Sequence, residues 1–246
     1  MLYADDQYGN KIEATPNSLG FCPACNNQLI PRCGQININH WAHRGRRDCD
    51  DWYEPETEWH ADWKRQFGKE NCEVVIPPHR ADIVGKSGIV IELQHSPISP
   101  EEIWEREDFY RNMIWIVDAN QIVDNLYFFK NPYLEYKGGQ PIWSLPKDKD
   151  IEIRLEPFFL EWKRLQKRWA SHVGSRKPAF LDLSQKRVTV WTQPQLQPRL
   201  RNRAQLRPSV LNVFQNLLFR IVQVYPGNVV GGKFITKQRI IENYKP

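Results

Sequence analysis

A chain of 246 residues with 41% hydrophobic and 12% aromatic side chains can bury a core in one large domain or two modest ones and reads as folded and globular, not as a disordered chain. The formal charge of +5 is unevenly spread: residues 1–150 carry 16 basic and 24 acidic side chains, residues 151–246 carry 18 and 5. With no apolar run near the ~18 residues of a membrane span, no signal-peptide order and five cysteines that include one Cys-x-x-Cys, we expect a cytoplasmic, metal-ligating protein with no membrane contact rather than a secreted disulfide scaffold.

Residues 1–52 read as a polar lead-in with one or two strands followed by a finger. Cys22-Pro23-Ala24-Cys25 and His40-Trp41-Ala42-His43 form a C-x2-C-x14-H-x2-H string. Two such pairs suit tetrahedral Zn2+ in a structural role, because four protein ligands leave no open position. Cys33 and Cys49 are spare donors, either able to displace a histidine. Arg44, Arg46 and Arg47 follow as phosphate contacts or as a solvated basic turn.

Residues 53–147 form the next region. A helix is predicted over 55–68, where Glu56, His60 and Lys64 fall four apart on one ridge beside an apolar Trp59, Trp63 and Phe67 stripe. That ridge is either part of a site or an i,i+4 ladder facing water; Glu58 lies off it, near Asp62. Strands follow at 73–76, 80–84 and 89–94. If Asp82 faces Glu92, a three-residue loop joins the last two, with Gly88 left-handed. Asp82, Glu92 and Gln94 then share one face, while Ile83, Ile91 and Leu93 enter the core. Carboxylates among β-branched neighbours are costly unless paired or bound to a cation, so a divalent metal is the simplest occupant. His95 alternates away and reads as structural.

Ser99-Pro100-Glu101-Glu102 starts a second helix running to about Arg111. It carries Arg106 and Tyr110 toward a bound phosphate, or Arg106 simply pairs with Glu102. Strands at 113–117 and 126–129 close the region.

Past Lys147 the chain is basic and reads as α-rich. Pro157 opens a helix with the stripe Phe158, Trp162, Leu165 and Trp169, and a possible hairpin spans 180–183 and 187–191. Residues 193–208 look like an exposed linker whose Arg199, Arg201, Arg203 and Arg207 are phosphate contacts or a solubilising tether. Pro208 starts a helix through Leu211, Phe214, Leu218 and Ile221 that ends at Pro226-Gly227.

Taken in order, Cys-x-x-Cys, His-Trp-Ala-His, Glu-Thr-Glu-Trp-His-x3-Lys, Arg-Ala-Asp-Ile, Ile-Glu-Leu-Gln-x-Ser and Glu-Arg-x3-Tyr resemble the competence protein CoiA-like nucleases of the PD-(D/E)XK superfamily. The resemblance covers about residues 20–130. It implies an α/β fold, a mixed sheet flanked by helices, with Asp82 and Glu92 as Mg2+ (or Mn2+) ligands. Glu56 and His60 match the motif of the first helix, Arg106 and Tyr110 that of the second, and Cys22, Cys25, His40 and His43 the zinc finger. Gln94 stands where the superfamily usually has lysine, and Lys64 or His60 can restore that charge.

The expected activity is Mg2+-dependent hydrolysis of phosphodiester bonds in DNA, single-stranded, duplex or branched, in DNA processing, recombination or anti-phage defence. The alternative is a non-catalytic DNA-binding or recombination accessory protein that retains the nuclease fold. A protein partner in a DNA-processing complex is a third reading, with Tyr127, Phe128, Tyr133, Tyr136 and Trp143 as its docking face.

Overall fold

A computed structural model of the chain describes residues 1–35, 37–45, 49–129, 158–162, 174–191, 210–225 and 229–246. They fall into two compact units, the first made of Met1–Asp118 with Gln238–Pro246 and the second of Ala119–Lys237.

The first unit opens with two small antiparallel hairpins, β1 (Tyr3–Asp5) with β2 (Lys11–Glu13) and β3 (Ile30–Arg32) with β4 (His40–Ala42). Asp6 shapes the first turn by accepting the N–H groups of Tyr8 and Asn10 at 2.8 and 2.9 Å. Trp41 is the centre of a small core with Met1, Ala4, Ala14, Cys22 and Leu29. Gly20 is needed there, since a Cβ on it would lie 2.8 Å from the Trp41 ring.

Helix α1 (Glu58–Phe67) begins at Thr57, whose hydroxyl accepts the His60 N–H, so the helix starts three residues later than expected and Glu56 lies in the extended lead-in. Trp59, Ala61, Trp63 and Phe67 are buried, as the apolar stripe requires. Then come β5 (Cys72–Ile76), β6 (His79–Val84) and β7 (Val90–Gln94), an antiparallel meander. Helix α2 (Pro100–Tyr110) has Ser99 as its cap, accepting the Glu102 N–H at 3.1 Å. It carries the chain to β8 (Met113–Asp118), which pairs parallel with β7. The sheet of this unit is therefore mixed, in the order β5-β6-β7-β8.

Strands β7 and β8 are buried along their whole length, in keeping with the aliphatic run of β8. The β6–β7 loop has the expected form: Gly85 N–H bonds Ile89 O at 2.8 Å, enclosing Lys86-Ser87-Gly88 with Gly88 at φ +71°. Ser87 is left-handed too, at φ +59°. Ile83, Ile91 and Leu93 enter the core.

The second unit is a seven-stranded mixed sheet. Its strands are β9 (Leu126–Phe129), β10 (Phe158–Trp162), β11 (Ala179–Asp182), β12 (Val188–Trp191), β13 (Val210–Phe214), β14 (Leu217–Tyr225) and β15 (Val229–Thr236). Their order is β13-β12-β9-β10-β15-β14-β11, antiparallel except for β9 with β12. Phe128, Phe219 and Phe234 meet pairwise at 5.3 Å in its core. Tyr127 and Phe128 are buried, so they offer no docking face; Tyr133, Tyr136 and Trp143 lie outside the described residues.

This unit corrects the α-rich expectation. Phe158–Trp162 is a strand, and the run through Leu211, Phe214, Leu218 and Ile221 forms two strands instead of a helix. Dense β-branched and aromatic runs satisfy both periods at once, and long-range pairing decides between them. The strands near 180 and 190 exist but do not pair with each other: β11 joins β14, and β12 joins β13 and β9. Leu165, Trp169 and Pro226-Gly227 lie outside the described residues. The final helix α3 (Lys237–Tyr244) belongs from Gln238 onward to the first unit, where Ile240 is fully buried.

Candidate active site

The strand register generates a row of acids. β6 and β7 pair Ile83 with Ile91 and Val84 with Val90, so continuing the ladder sets Asp82 opposite Glu92. β5 and β6 pair Cys72 with Ile83 and Val74 with Ala81, which sets Glu73 opposite Asp82. Three carboxylates in adjacent positions repel one another unless cations separate them. The two helices and β6 supply those cations.

From α1, the Lys64 ammonium reaches Glu73 Oε1 at 2.8 Å, Glu56 Oε2 at 2.9 Å and Asp82 Oδ1 at 3.1 Å. Burial opposes its charge, but Glu56, Glu73 and Asp82 together hold its pKa well above the ordinary lysine value. From α2, Arg106 Nη1 bonds Glu92 Oε2 at 3.1 Å, while Nη2 bonds the Trp52 carbonyl at 3.1 Å and also Glu102. The pairing of Arg106 with Glu102 read from the sequence is present, joined by the unforeseen bond to Glu92, and the Trp52 ring lies 5.4 Å from its guanidinium. Arg80 Nε holds Glu73 Oε2 at 2.9 Å. Burial alone would raise the Glu73 carboxyl; Lys64 and Arg80 more than offset it and hold it well below the usual range.

Asp82 and Glu92 meet as the hairpin reading requires. The Asp82 N–H donates to Glu92 Oε1 at 3.3 Å, and the Leu93 N–H donates to Asp82 Oδ2 at 3.0 Å. Burial, then the charge on Asp82, pushes the Glu92 carboxyl up to about 8 despite Arg106. Such a pair gains from a further cation. Two buried acceptor atoms nearby have no hydrogen-bond partner among the described residues, Glu56 Oε1 and Gln94 Oε1. The pocket that Glu56, Asp82 and Glu92 line has about 30 Å³ of free space, room for an ion or a water; Gln94 is not in its lining. An oxygen-rich donor set of this kind fits Mg2+ or Mn2+.

Other expected residues take more specific posts. Gln94 is buried, with its Nε2 donating to Ser96 O at 2.6 Å. His60 is buried too: its Nε2 faces only acceptors, Leu93 O at 3.2 Å and Glu54 Oε2 at 3.3 Å, so this nitrogen carries the proton. Its Nδ1 is 2.8 Å from the Thr57 hydroxyl. Burial works against the imidazolium, but Glu54 and Asp82 raise the His60 pKa overall. The Tyr110 hydroxyl is buried with no hydrogen-bond partner among the described residues, and burial pushes its pKa up. His95 pairs with Asp118 at 2.9 Å, the structural role expected for it. Arg199, Arg201, Arg203 and Arg207 lie outside the described residues, as do Arg46 and Arg47.

The finger differs from its expected ligand set. Cys22, Cys25, His43 and Cys49 place their donor atoms within 4.8 Å of one another. The Cys22 and Cys49 sulfurs are 3.6 Å apart, and Cys25 Sγ is 3.3 Å from His43 Nε2. These separations match the edges of a tetrahedron with Zn–S of about 2.3 Å and Zn–N of about 2.0–2.1 Å. Burial pushes the Cys25 thiol up, but hydrogen bonds from the Asn27 N–H and His43 more than offset this and bring it to about 7. Cys49 takes the place expected for His40. On β4 the side chains alternate, so Trp41 and His43 turn toward Cys22 while His40 turns away and donates from Nδ1 to Ile38 O at 2.9 Å. Cys33 packs against the Trp41 core outside the cluster.

Three acids of the site were not anticipated: Asp50, Glu54 and Glu73. Glu54 accepts the N–H groups of His95, at 3.1 Å, and Ser96 beside its bond to His60. Asp50 binds His79 and the Arg80 N–H. Glu73 has a left-handed backbone at φ +52°, a strained state for glutamate. For Asp50 and Glu54 the local signal was the density of acids and aromatics in residues 50–58; Glu73 had none.

The family model described as the Competence protein CoiA N-terminal domain matches residues 6–51, and that described as the Competence protein CoiA nuclease-like domain matches residues 62–136. The Competence protein CoiA of Bacillus subtilis (strain 168) is 24% identical over 104 residues, which cover 37% of this chain and 28% of that relative. No solved structure matches significantly.

Proposed function

The chain belongs to the CoiA-like family, with a nuclease-like domain over residues 62–136, and on that premise we propose that it is a divalent-metal-dependent nuclease that hydrolyses phosphodiester bonds in DNA. The observation that carries the reading is the opposed pair Asp82 and Glu92, with the Lys64 ammonium 3.1 Å from Asp82. Its setting is DNA processing, such as competence, recombination or anti-phage defence. The likeness supports the PD-(D/E)XK assignment of the β5–β8 sheet, in which Asp82 and Glu92 are the acids of the central hairpin.

Asp82 and Glu92 would hold Mg2+ or Mn2+, with Glu56 completing the set through its unpartnered oxygen. Such an ion polarises the scissile phosphate and makes bound water a nucleophile near neutral pH. Lys64 supplies the fixed positive charge that Gln94 lacks, and its three carboxylate partners keep it protonated. Gln94 contributes an acceptor, Oε1, that orients a water. His60 donates to the Leu93 carbonyl and exchanges protons with Glu54. Arg106 is engaged by three acceptors, so it acts by holding Glu92. Tyr110, beside it on α2, offers a hydroxyl to the phosphate. The basic residues 151–246, including Arg199, Arg201 and Arg203, would carry the DNA backbone.

The test is cleavage of labelled single-stranded, duplex and branched DNA in Mg2+, Mn2+ and EDTA. Metal-dependent cleavage lost in Asp82→Ala and Glu92→Ala is the expected result. DNA binding without cleavage in the wild type, unaltered by both substitutions, would instead favour the accessory-protein reading. One observation leans that way: Gln94 replaces a catalytic lysine and gives its amide to Ser96 O.

A further inference from the structure

Cys49, the fourth donor of the finger cluster, is followed directly by Asp50, which is 5% exposed. Asp50 lines the acid cavity, and both of its carboxylate oxygens are engaged. Oδ1 accepts the Trp52 N–H at 3.0 Å and meets His79 Nδ1 at 2.9 Å, and Oδ2 accepts the Arg80 N–H at 2.8 Å. Trp52 stacks on His79 with ring centroids 3.3 Å apart and planes nearly parallel, so the three side chains lock together.

Two lines of contact leave this clamp. Along one, Arg80 holds Glu73 at 2.9 Å, Glu73 holds Lys64 at 2.8 Å, and Lys64 holds Asp82 at 3.1 Å. Along the other, the Trp52 carbonyl and ring hold Arg106, which holds Glu92 at 3.1 Å. A second tie runs from the finger core. Trp41, packed with Cys22, exchanges backbone hydrogen bonds with Met1, and the Leu2 N–H donates to Glu73 Oε1 at 3.0 Å. Both proposed metal-binding acids are thus reached from the finger through buried, hydrogen-bonded groups.

We propose that Asp50 is a positioning residue that makes the finger's metal a determinant of the acid cavity: ligation of Cys49 fixes Asp50, and Asp50 fixes the Glu73–Lys64–Asp82 and Arg106–Glu92 contacts. The finger is then a wall of the site, and its cation sets the geometry with which Asp82 and Glu92 meet theirs. The inference rests on the reading of those two acids as a divalent seat. Partners that orient ligands from outside the first layer change metal affinity by about 10–100-fold when removed.

The experiment compares full-length wild type, Asp50→Asn, Cys49→Ser and Cys33→Ser. Zinc content is read by mass spectrometry, Mn2+ binding by calorimetry against an Asp82→Ala baseline, and hydrogen exchange at the Leu93 amide, which Asp82 holds. Asp50→Asn should keep its zinc, yet bind Mn2+ about tenfold more weakly or worse and exchange Leu93 faster. Cys49→Ser should lose zinc and show the same two effects, while Cys33→Ser shows neither. Wild-type Mn2+ affinity and Leu93 exchange in both Asp50→Asn and Cys49→Ser would overturn the proposal. If wild type binds Mn2+ no better than Asp82→Ala, the divalent reading itself fails. Leu93 exchange then decides alone: faster in both variants sustains the coupling, unchanged ends it.

Discussion

Replacing Glu73 by glutamine isolates the charge that holds the acid row together. The carboxylate sits between Lys64 at 2.8 Å and Arg80 at 2.9 Å and also accepts the Leu2 N–H at 3.0 Å. Glutamine fills the same volume but must turn its NH2 toward one of these donors. One charge-assisted bond worth about 1.5–3 kcal/mol is lost, while Lys64 keeps Glu56 at 2.9 Å and Asp82 at 3.1 Å. Domains are stable by about 5–15 kcal/mol, so the loss is a large share. Because the chain has two units, a global denaturation curve blurs it. Native-state hydrogen exchange at Ile83 and Ile91 reads the opening of the first unit by itself, and should quicken by roughly ten- to a hundred-fold.

The pH dependence has a definite sign. The folded-state pKa of Glu73 is depressed from 4.5, so its stabilisation is complete above that value and is lost as pH falls toward the depressed one. The difference between wild type and Glu73→Gln should be constant above about pH 5 and shrink below 4.5, with intrinsic exchange cancelling at each pH. A change of less than about tenfold, or a difference that persists undiminished in acid, would refute this account of the row.

Lys64→Met leaves Glu56, Glu73 and Asp82 facing one another; we expect exchange of the β5–β7 amides to rise and any DNA cleavage to fall by about a hundred-fold or more. Cleavage at wild-type rates would remove Lys64 from the mechanism. Gly85→Ala drives a Cβ to 2.5 Å from the Tyr244 carbonyl and should cost about 1–3 kcal/mol, read as a lowered melting temperature; an unshifted melt would show that α3 yields freely. His40→Ala should keep wild-type zinc content while Cys49→Ser loses it, and the opposite pattern in a zinc assay would restore the histidine pair as ligands.

What the sequence disclosed depended on how local each cause was. Alternation and a glycine loop set the Asp82–Glu92 hairpin, and Ser99 and Pro100 marked the start of α2, because those choices are made within a few residues. The spacing put Glu56 and Lys64 on one ridge of a helix, whereas they meet at 2.9 Å with Glu56 outside the helix. Glu73 could not be singled out, since its partners Lys64, Arg80 and Leu2 come from three separate segments. The C-x2-C-x14-H-x2-H string placed the finger but misassigned a donor, because two histidines three apart on a strand cannot share a side. In the second unit, apolar residues at helical intervals belong to strands whose partners lie far along the chain, as β9 with β12 illustrates.

The helix that abuts the Gly85 turn has a consequence for synthesis. Met1–Asp118 leaves the ribosome first, and Gln238–Pro246 emerges only after all of Ala119–Lys237 has been translated. The hairpin carrying Asp82 and Glu92 therefore waits for its Tyr244 neighbour through most of elongation. A nascent chain holds an acid pair whose bend is not yet braced, so full assembly of the first unit is timed to the completion of the second.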